Sequence, residues 1–431
     1  MAGMALGCAA VRQYPPPPIL AASNLVEVSD REGDVETQSG SRGDSPAIVP
    51  ENVLVLSGGG AYGAYTAGLL KGWTASGTRP RFDVVTGIST GSLIAPYAFL
   101  GPEYDNELER LYTSMRQENI LRPQLVLLDS LVSSEPLEQQ IAARATPDLL
   151  RKIAEAHRHG RRLYVGTTNL DTKQLVIWDA GAIAARETPE NATLFRKVLL
   201  ASCSVPGLLP PVPIDVEIDG QRFTELHVDG SVTACAFLQP AMLGIRPHGE
   251  LPQRSVPASI YVVVAGKLLQ NPGPIKSELF SIAGESINTA LQAKTDGELL
   301  RLFLLARYAK AKFQIAGIPQ DYDTQGTPML FVPKTMRRLF DEGYGGGHRG
   351  SAWQAFPPTL EKEVMNLPRG GVRFARGRDD APESFWLLDR IRITLDDDST
   401  KSRNGTGTVP SIQRLPATGV LDVSQVTEVH R

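Results

Sequence analysis

Short apolar blocks, each followed by glycine or by a helical pattern, dominate the first part of the chain after residue 50. The first block, 52–57, reads Asn-Val-Leu-Val-Leu-Ser and precedes three glycines and a helical stretch that ends near Gly77. A second block, 82–87, leads into a helical pattern over 92–100. Strand–helix–strand–helix order at this spacing is typical of a βαβ unit. We therefore predict an α/β fold with a parallel sheet.

Further periodic segments extend this prediction along the chain. The later strands are expected at 163–168, 174–178, 226–229 and 259–264. The later helices are expected at 103–117, 135–157, 190–203, 277–310 and 335–343.

The two ends of the chain lack this patterning. The run Pro15–Pro18 favours extended polyproline II, and the stretch 29–46 is too polar to bury a core. The last 41 residues are also polar and show little periodicity. We predict an N-terminal tether over 1–50, a folded domain over 51–390 and a mostly disordered tail over 391–431.

Composition narrows the class of protein. The 431 residues include 44 Lys plus Arg and 47 Asp plus Glu, which gives a net charge of −3 and no basic footprint for nucleic acid. No run of 18 apolar residues predicts a transmembrane helix. The three cysteines, Cys8, Cys203 and Cys235, are too few for a disulfide scaffold or a cysteine-rich metal site.

A glycine-rich loop separates the first strand from its helix. It reads Gly58-Gly59-Gly60-Ala61-Tyr62-Gly63, and G-x-G-x-x-G is a weak signal by itself. A dinucleotide site needs an acidic residue at the end of the next strand, whereas Asp83 begins that strand. Backbone amides at such a loop favour an anion, either a phosphate or a transient oxyanion. The alternative is a tight turn without a ligand.

A G-x-S-x-G sequence follows the second strand and precedes a helix. Gly87 and Gly91 flank Ser89 at two residues on either side, which permits the sharp turn that lifts a serine hydroxyl above the sheet. The strand–helix context makes Ser89 a candidate nucleophile. The alternative is that Ser89 only caps the helix.

A serine nucleophile needs a base. Of the six histidines, His227 and His348 are the candidates that lie outside charged or tail segments. Asp229 is a third candidate, because it follows apolar residues at a predicted strand end and precedes Gly230. An Asx-turn is the plain structural alternative for Asp-Gly.

The ordered trio of glycine loop, G-x-S-x-G and Asp-Gly resembles the patatin-like phospholipase family over residues 53–231. The segment 199–212, Leu-Leu-Ala-Ser-Cys-Ser-Val-Pro-Gly-Leu-Leu-Pro-Pro-Val, is similar to the family's segment before the Asp. The stretch 339–344 resembles a late helical segment of bacterial members.

The resemblance implies a three-layer α/β fold with a mostly parallel central sheet. It also implies a carboxylic ester hydrolase with a Ser89–Asp229 dyad that acts on phospholipids or related lipids at a membrane surface. Ser89 would attack the ester and Asp229, with Gly230 behind it, would serve as general base and then acid. The oxyanion would be held at Gly58, Gly59, Gly60 and Ala61. The resemblance implies no metal, cofactor, nucleotide or nucleic acid, and leaves the oligomeric state open.

Two positions depart from the family pattern. Tyr62 stands where an Arg or Lys is usual, and Ser231 follows Asp-Gly where Gly or Ala is usual. Two other functions stay open. One is an α/β-hydrolase triad of Ser89, Asp229 and His348, since the glycines before His348 predict a loop. The other is a membrane-tethered lipid-binding protein without catalysis.

Cys8 suggests a location. Ala5-Leu6-Gly7-Cys8 resembles the end of a bacterial lipoprotein signal, although the segment before it is shorter than a complete signal and carries no basic residue. If Cys8 is lipidated, the protein is an envelope protein anchored to a membrane and 11–50 is its tether. The alternative is a cytoplasmic protein. Cys203 and Cys235 are expected in the core.

Overall fold

The computed structural model describes residues 12–16, 49–120, 122–123, 132–218, 220–246, 249–252, 258–269, 274 and 277–360. The chain divides into a unit over 1–371 and a unit over 372–431, and the second unit lies outside the described residues. Cys8 and the predicted tail also lie outside them, so lipidation and the tail stay predictions.

Strands and helices alternate along much of the described chain. The strands are β1 Asn52–Leu56, β2 Val84–Ile88, β3 Arg122–Pro123, β4 Val132–Ser133, β5 Arg162–Asn169, β6 Gln174–Asp179, β7 Val212–Ile218, β8 Gln221–Asp229, β9 Ser259–Lys267 and β10 Lys312–Ile318. The α-helices are α1 Gly63–Ala75, α2 Thr90–Leu100, α3 Asp105–Ser114, α4 Glu135–Arg144, α5 Pro147–Arg158, α6 Ala180–Ala185, α7 Pro189–Ser202, α8 Leu279–Tyr308 and α9 Pro333–Arg349.

One mixed sheet organises these elements. Its order is β10-β9-β1-β2-β5-β8-β7, and β6 pairs with β5 outside this path. The five strands from β10 to β5 are all parallel, whereas β6, β7 and β8 join by antiparallel pairing. The prediction of an α/β fold with a mostly parallel central sheet is confirmed.

Strand β1 explains why the parallel core reads as a continuous apolar run. Leu54 and Leu56 point to the core that contains α1, and Val53 and Val55 point to the opposite core that contains part of α8. Helices therefore cover both faces of the sheet, and each strand position at its centre is buried. This arrangement gives the three layers.

Several predicted elements differ from the structure. The helix expected over 135–157 is two helices, because Thr146 caps α5 by accepting from the Leu149 amide and Pro147 occupies the first helical position. Strands β7 and β10 were not predicted. The loop expected around His348 is wrong, since that residue lies in the last turn of α9.

Helices α1 and α9 pack with their backbones in contact. A Cβ atom on Gly68 of α1 would lie 2.0 Å from the carbonyl oxygen of Phe340, and one on Gly343 of α9 would lie 2.1 Å from that of Tyr65. Gly72 and Gly347 repeat this contact one turn further along each helix. Glycine, a poor helix former, is therefore placed where any side chain would separate the two helices.

The described part of the N-terminal segment lies beside β8 at Thr224, where β8 extends past its pairing with β5. The Thr224 amide donates to the Pro15 carbonyl, and the Tyr14 amide donates to the Thr224 hydroxyl. The guanidinium of Arg12 pairs with Asp171. These contacts give part of the predicted tether a fixed place beside the sheet. Within the described residues, no helix has the length and apolar character needed to cross a bilayer.

The helix contact predicts opposite effects of one substitution at two glycines. Gly68→Ala should lower the free energy of unfolding by about 1–3 kcal/mol, because the added methyl group forces α1 and α9 apart. Gly297→Ala is the matched control, since that glycine lies in α8 and a Cβ added to it would meet no atom within 4 Å, and it should raise stability by up to about 1 kcal/mol. Urea unfolding of both variants measures the difference, and equal effects would contradict the close contact.

Candidate active site

Ser89 occupies a strained turn between β2 and α2. Its φ of 53° and ψ of −126° are unusual for a residue with a side chain. The Ser89 amide donates to the Ser202 hydroxyl at 3.0 Å, and that hydroxyl donates to the Gly166 carbonyl at 2.7 Å. Ser202 thus ties the turn to the neighbouring strand β5 and offsets part of the strain.

The glycines around Ser89 are required by close packing. A Cβ on Gly91 would lie 2.6 Å from the Leu56 carbonyl oxygen and 2.7 Å from that of Ser57, and one on Gly87 would lie 2.5 Å from the Gly91 carbonyl oxygen. The first turn of α2 therefore presses against the end of β1. This is the strand–turn–helix geometry that the G-x-S-x-G sequence predicts.

Asp229 reaches Ser89 across the end of β5. It ends β8, opposite Thr167 of β5, while the last residue of β2, Ile88, lies opposite Gly166. The chain turns at Gly230, where a Cβ would lie 2.6 Å from the Gly166 carbonyl oxygen. Ser89 lies near enough for its hydroxyl to lower the pKa of the Asp229 carboxyl by hydrogen bonding. The structure therefore brings the two predicted catalytic residues together.

The environment of Asp229 favours a basic carboxylate. Burial raises its pKa to about 6, although hydrogen bonds from Ser89 and from the Ser231 amide and hydroxyl, and the charge of Lys294, act to lower it. The Ser231 amide donates to Asp229 Oδ1 at 2.7 Å. The carboxyl is thus largely ionised at neutral pH, yet it binds a proton about a hundred times more readily than an ordinary aspartate.

Of the four amides that the resemblance assigns to the oxyanion, two are engaged within the described structure and two are open. The Gly58 amide donates to the Cys235 carbonyl at 3.1 Å, and the Ala61 amide donates to the Pro328 carbonyl at 2.8 Å. Among the described residues, no acceptor is bonded to the amides of Gly59 and Gly60. The four predicted oxyanion positions therefore reduce to two with open donors.

The residue beside these glycines packs onto another loop. The Tyr62 hydroxyl donates to the Gly326 carbonyl at 2.6 Å, so Tyr62 and Ala61 both bind the segment 326–328. The left-handed φ of Gly60, 52°, and the contact its Cβ would make with the Pro328 carbonyl show why this position excludes side chains.

Neither candidate histidine contacts the Ser89–Asp229 pair among the described residues. His227 is fully buried, with Nδ1 2.9 Å from the Thr167 hydroxyl and Nε2 2.9 Å from Glu225 Oε2. His348 is exposed on α9 and stacks on Tyr344. Both rings thus have structural partners of their own.

The residue that would serve a dinucleotide site has a structural role. Asp83 accepts hydrogen bonds from the amides of Glu51 and Asn52, at the start of β1 and away from the glycine loop. The described residues contain no group of three or more His, Cys, Asp or Glu that could hold a metal ion.

An apolar pocket opens beside Ser89. Its empty space is about 530 Å³, part of which is open to solvent, and Gly60 and Ser89 lie at its polar end. A second pocket of about 550 Å³, part of it open to solvent, is also mostly apolar. Five side chains line both pockets, so the two spaces adjoin: Leu93, Tyr112, Met115, Ile120 and Leu137. Cys203 is buried and lines the first pocket, whereas Cys235 is only partly buried.

Three residues of the site were missed from the sequence. Ser202 lies in the Ala-Ser segment that supports the resemblance, but its bond to the Ser89 amide follows only from the fold. Pro328 and Lys294 lie far along the chain from Ser89, and no local pattern marks them. Each acts through contacts that the tertiary structure creates.

Parts of the chain are similar to known proteins. Residues 54–242 match the family model of the patatin-like phospholipases. The cUMP-AMP-activated phospholipase of Escherichia coli is 50% identical over 64 residues, which is 14% of this chain and 20% of that protein, so the match spans about a fifth of the relative. Among solved structures, VipD from Legionella pneumophila has a TM-score of 0.39 at 12% identity, covering 72% of this chain and 68% of VipD. The type III effector ExoU has a TM-score of 0.26 at 16% identity, covering 74% and 57%.

The raised pKa of Asp229 predicts that the carboxyl destabilises the fold at neutral pH. Its folded pKa, about 6, exceeds the ordinary aspartate value of 3.8, so stability is lost as pH rises through this window. Asp229→Asn should therefore be more stable than the wild type above pH 6, by up to about 3 kcal/mol, with the difference disappearing near pH 4.

A second aspartate serves as the control. Although burial raises the pKa of Asp171, hydrogen bonds from Arg12 and from the Leu226 amide lower it below its ordinary value. Asp171→Asn should therefore destabilise the fold at neutral pH. Denaturant unfolding across this pH range measures both variants, and a loss of stability in Asp229→Asn at neutral pH would contradict the assignment.

Proposed function

We propose that the chain is a serine lipid acyl hydrolase that uses a Ser89–Asp229 dyad, and the match of residues 54–242 to the family model of the patatin-like phospholipases supports this proposal. The observation that carries the proposal is that the strained turn after β2 places Ser89 beside the end of β8, where Asp229 is a buried carboxylate whose pKa is about 6. A general base with a pKa near the working pH is mostly ionised, and it still accepts a proton readily.

The chemistry follows from the arrangement. Ser89 Oγ attacks the ester carbonyl carbon while its proton passes to Asp229. The carbonyl oxygen becomes an oxyanion that accepts hydrogen bonds from the open amides of Gly59 and Gly60. Asp229 then protonates the departing alcohol, and the C–O bond breaks to leave an acyl group on Ser89. Water attacks this acyl-enzyme and gives a proton to Asp229. Asp229 then returns that proton to Ser89 Oγ as the bond between Ser89 and the acyl group breaks, which releases the free fatty acid and restores the enzyme.

The pocket beside Ser89 supports an acyl chain as the group that is bound. Leu93, Met115, Leu208 and Phe331 are among its lining side chains, and its polar end contains Ser89. An ester at Ser89 would therefore direct its acyl chain into an apolar space and its alcohol part outward. Phospholipids and related lipids consist of such an apolar acyl chain and a more polar alcohol part. A lipid substrate would bring the enzyme to a membrane surface.

The dyad predicts a specific pattern of loss. Ser89→Ala should abolish labelling by a fluorophosphonate probe and hydrolysis of lipid esters. Asp229→Asn should lower kcat by about 10²–10⁴, because it removes the base while keeping a side chain of the same shape. His348→Ala is the matched control and should retain wild-type turnover, since that exposed ring contacts Tyr344.

Two outcomes would contradict this mechanism. Lost turnover in a folded His348→Ala protein would favour the histidine triad. A folded wild-type protein that is not labelled at Ser89 but binds phospholipid vesicles would favour the non-catalytic lipid-binding protein.

The two consecutive pockets predict a preference for long acyl chains. Ile141 and the half-buried Gln140 line the second pocket but not the first. Ile141→Phe and Gln140→Phe should fill that space and lower kcat/KM for a palmitoyl ester by about tenfold or more. A butyryl ester, which needs only the first pocket, is the internal control and should change less than about twofold. Equal losses for both esters would contradict the second pocket as an acyl site.

A further inference from the structure

Helix α8 brings a cation close to the proposed base. Lys294 Nζ donates to the Ser231 carbonyl at 2.5 Å, and the Ser231 amide donates to Asp229 Oδ1 at 2.7 Å. One residue therefore links the ammonium group to the carboxylate. Helix α8 lies outside the segment that matches the family model, so nothing in that match assigns Lys294 a role.

A second side chain of α8 holds the far end of the same turn. Glu298 lies one helical turn after Lys294, and its Oε2 accepts hydrogen bonds from the amides of Cys235, at 2.6 Å, and Ala236, at 3.3 Å. The two charged groups thus bind opposite ends of the chain between Ser231 and Ala236. The position of Asp229 depends on this turn because the turn begins directly after it.

Several charged and polar groups near this turn change the pKa values of Lys294 and Asp229. Lys294 is half-buried, and burial lowers its pKa, while the charges of Glu298, Cys235 and Asp229 act to raise it. The groups that face Asp229 are the hydroxyls of Ser89 and Ser231, the charge of Lys294 and the buried Cys203 thiol. Among these, Lys294 is the cation.

The cation is close to Asp229 without forming an ion pair with it. Among the described ion pairs, none joins Lys294 to Asp229. Its direct bond goes to the Ser231 carbonyl instead. A direct ion pair would occupy a carboxylate oxygen and hold the proton affinity of Asp229 low, whereas an ammonium one residue away favours the charged form and leaves the Ser89 hydrogen bond in place.

We propose that Lys294 is a positioning residue that holds the turn after Asp229 and keeps this carboxylate ionised near neutral pH. The proposal is based on the proposed Ser89–Asp229 dyad. It has two separable parts, since the hydrogen bond to Ser231 fixes geometry and the positive charge acts on the protonation of Asp229. Glu298 also fixes the geometry of the turn, but it brings no positive charge to Asp229.

The pH profile of kcat/KM separates the two parts. Lys294→Met keeps the length of the stem but removes both the charge and the bond to the Ser231 carbonyl, and the loss of the charge should move the acid limb to higher pH by about 0.5–1 unit. Lys294→Arg keeps the charge and should leave the acid limb close to that of the wild type. Glu298→Ala loosens the turn but keeps the cation, so it should lower kcat without a comparable shift of the limb.

A second measurement does not depend on turnover. The difference in unfolding free energy between the wild type and Asp229→Asn, followed against pH, reports the protonation of Asp229. The same difference measured in the Lys294→Met background should have its midpoint shifted upward by the same 0.5–1 unit. If the wild type neither hydrolyses lipid esters nor is labelled by the fluorophosphonate probe, the proposed function fails. This stability measurement still tests Lys294 in that case.

The outcomes are distinct. An upward shift with Lys294→Met and none with Lys294→Arg supports the proposal. A lowered kcat with an unmoved acid limb and an unmoved stability midpoint overturns it, because Lys294 would then act only through the structure of the turn. If Lys294→Met does not fold, Lys294→Gln replaces it, since its amide can still donate to the Ser231 carbonyl without a charge.

Discussion

The contact between the first turn of α2 and the end of β1 is the constraint on which the site depends. With hydrogen as its only side chain, Gly91 lies against the carbonyls of Leu56 and Ser57. That contact fixes the distance between the turn that carries Ser89 and the glycine loop that follows β1. The strained backbone of Ser89 is held from the other side by Ser202. A larger residue at position 91 would separate the nucleophile from the amides proposed to stabilise its oxyanion.

The change from parallel to antiparallel pairing in the sheet explains how a carboxylate reaches this serine. Strand β2 delivers Ser89 at the edge where the parallel strands end, and β5 lies beside it. Because β8 runs antiparallel to β5, its last residue, Asp229, meets Thr167 near the end of β5. The turn at Gly230 then passes over Gly166, where neither residue has a side chain to interfere. Burial at this crossing raises the pKa of the carboxyl, so the position that the topology imposes also supplies the basicity.

The sequence predicted the parts of the fold that are local in the chain. The βαβ start, the turn at Ser89 and the strand that ends at Asp229 follow from apolar blocks and nearby glycines, and the structure contains all three. The glycines at 345–347 predicted a loop because glycine is a poor helix former, yet they lie in α9, where tertiary packing against α1 decides the outcome.

Long-range contacts could not be predicted from local patterns. Lys294 is one of many lysines, and only the fold places it on the carbonyl of Ser231. The occupied amides of Gly58 and Ala61 likewise depend on residues far along the chain, Cys235 and Pro328. A glycine loop in a sequence therefore reveals where amides lie but not which of them are open.

The bond between Ala61 and Pro328 also links the glycine loop to the apolar pocket beside Ser89. Pro328 accepts from the Ala61 amide, and the residues that follow it, Met329 and Phe331, line the pocket beside Ser89. Gln117 holds this segment from outside, since its side-chain oxygen accepts from the Phe331 amide. An acyl chain in the pocket would therefore press on the same segment that binds the loop next to the open amides. In the proposed mechanism, one stretch of backbone therefore contacts both the acyl chain and the loop that carries the open amides, which is a physical reason for the acyl chain and the ester carbonyl to be recognised together.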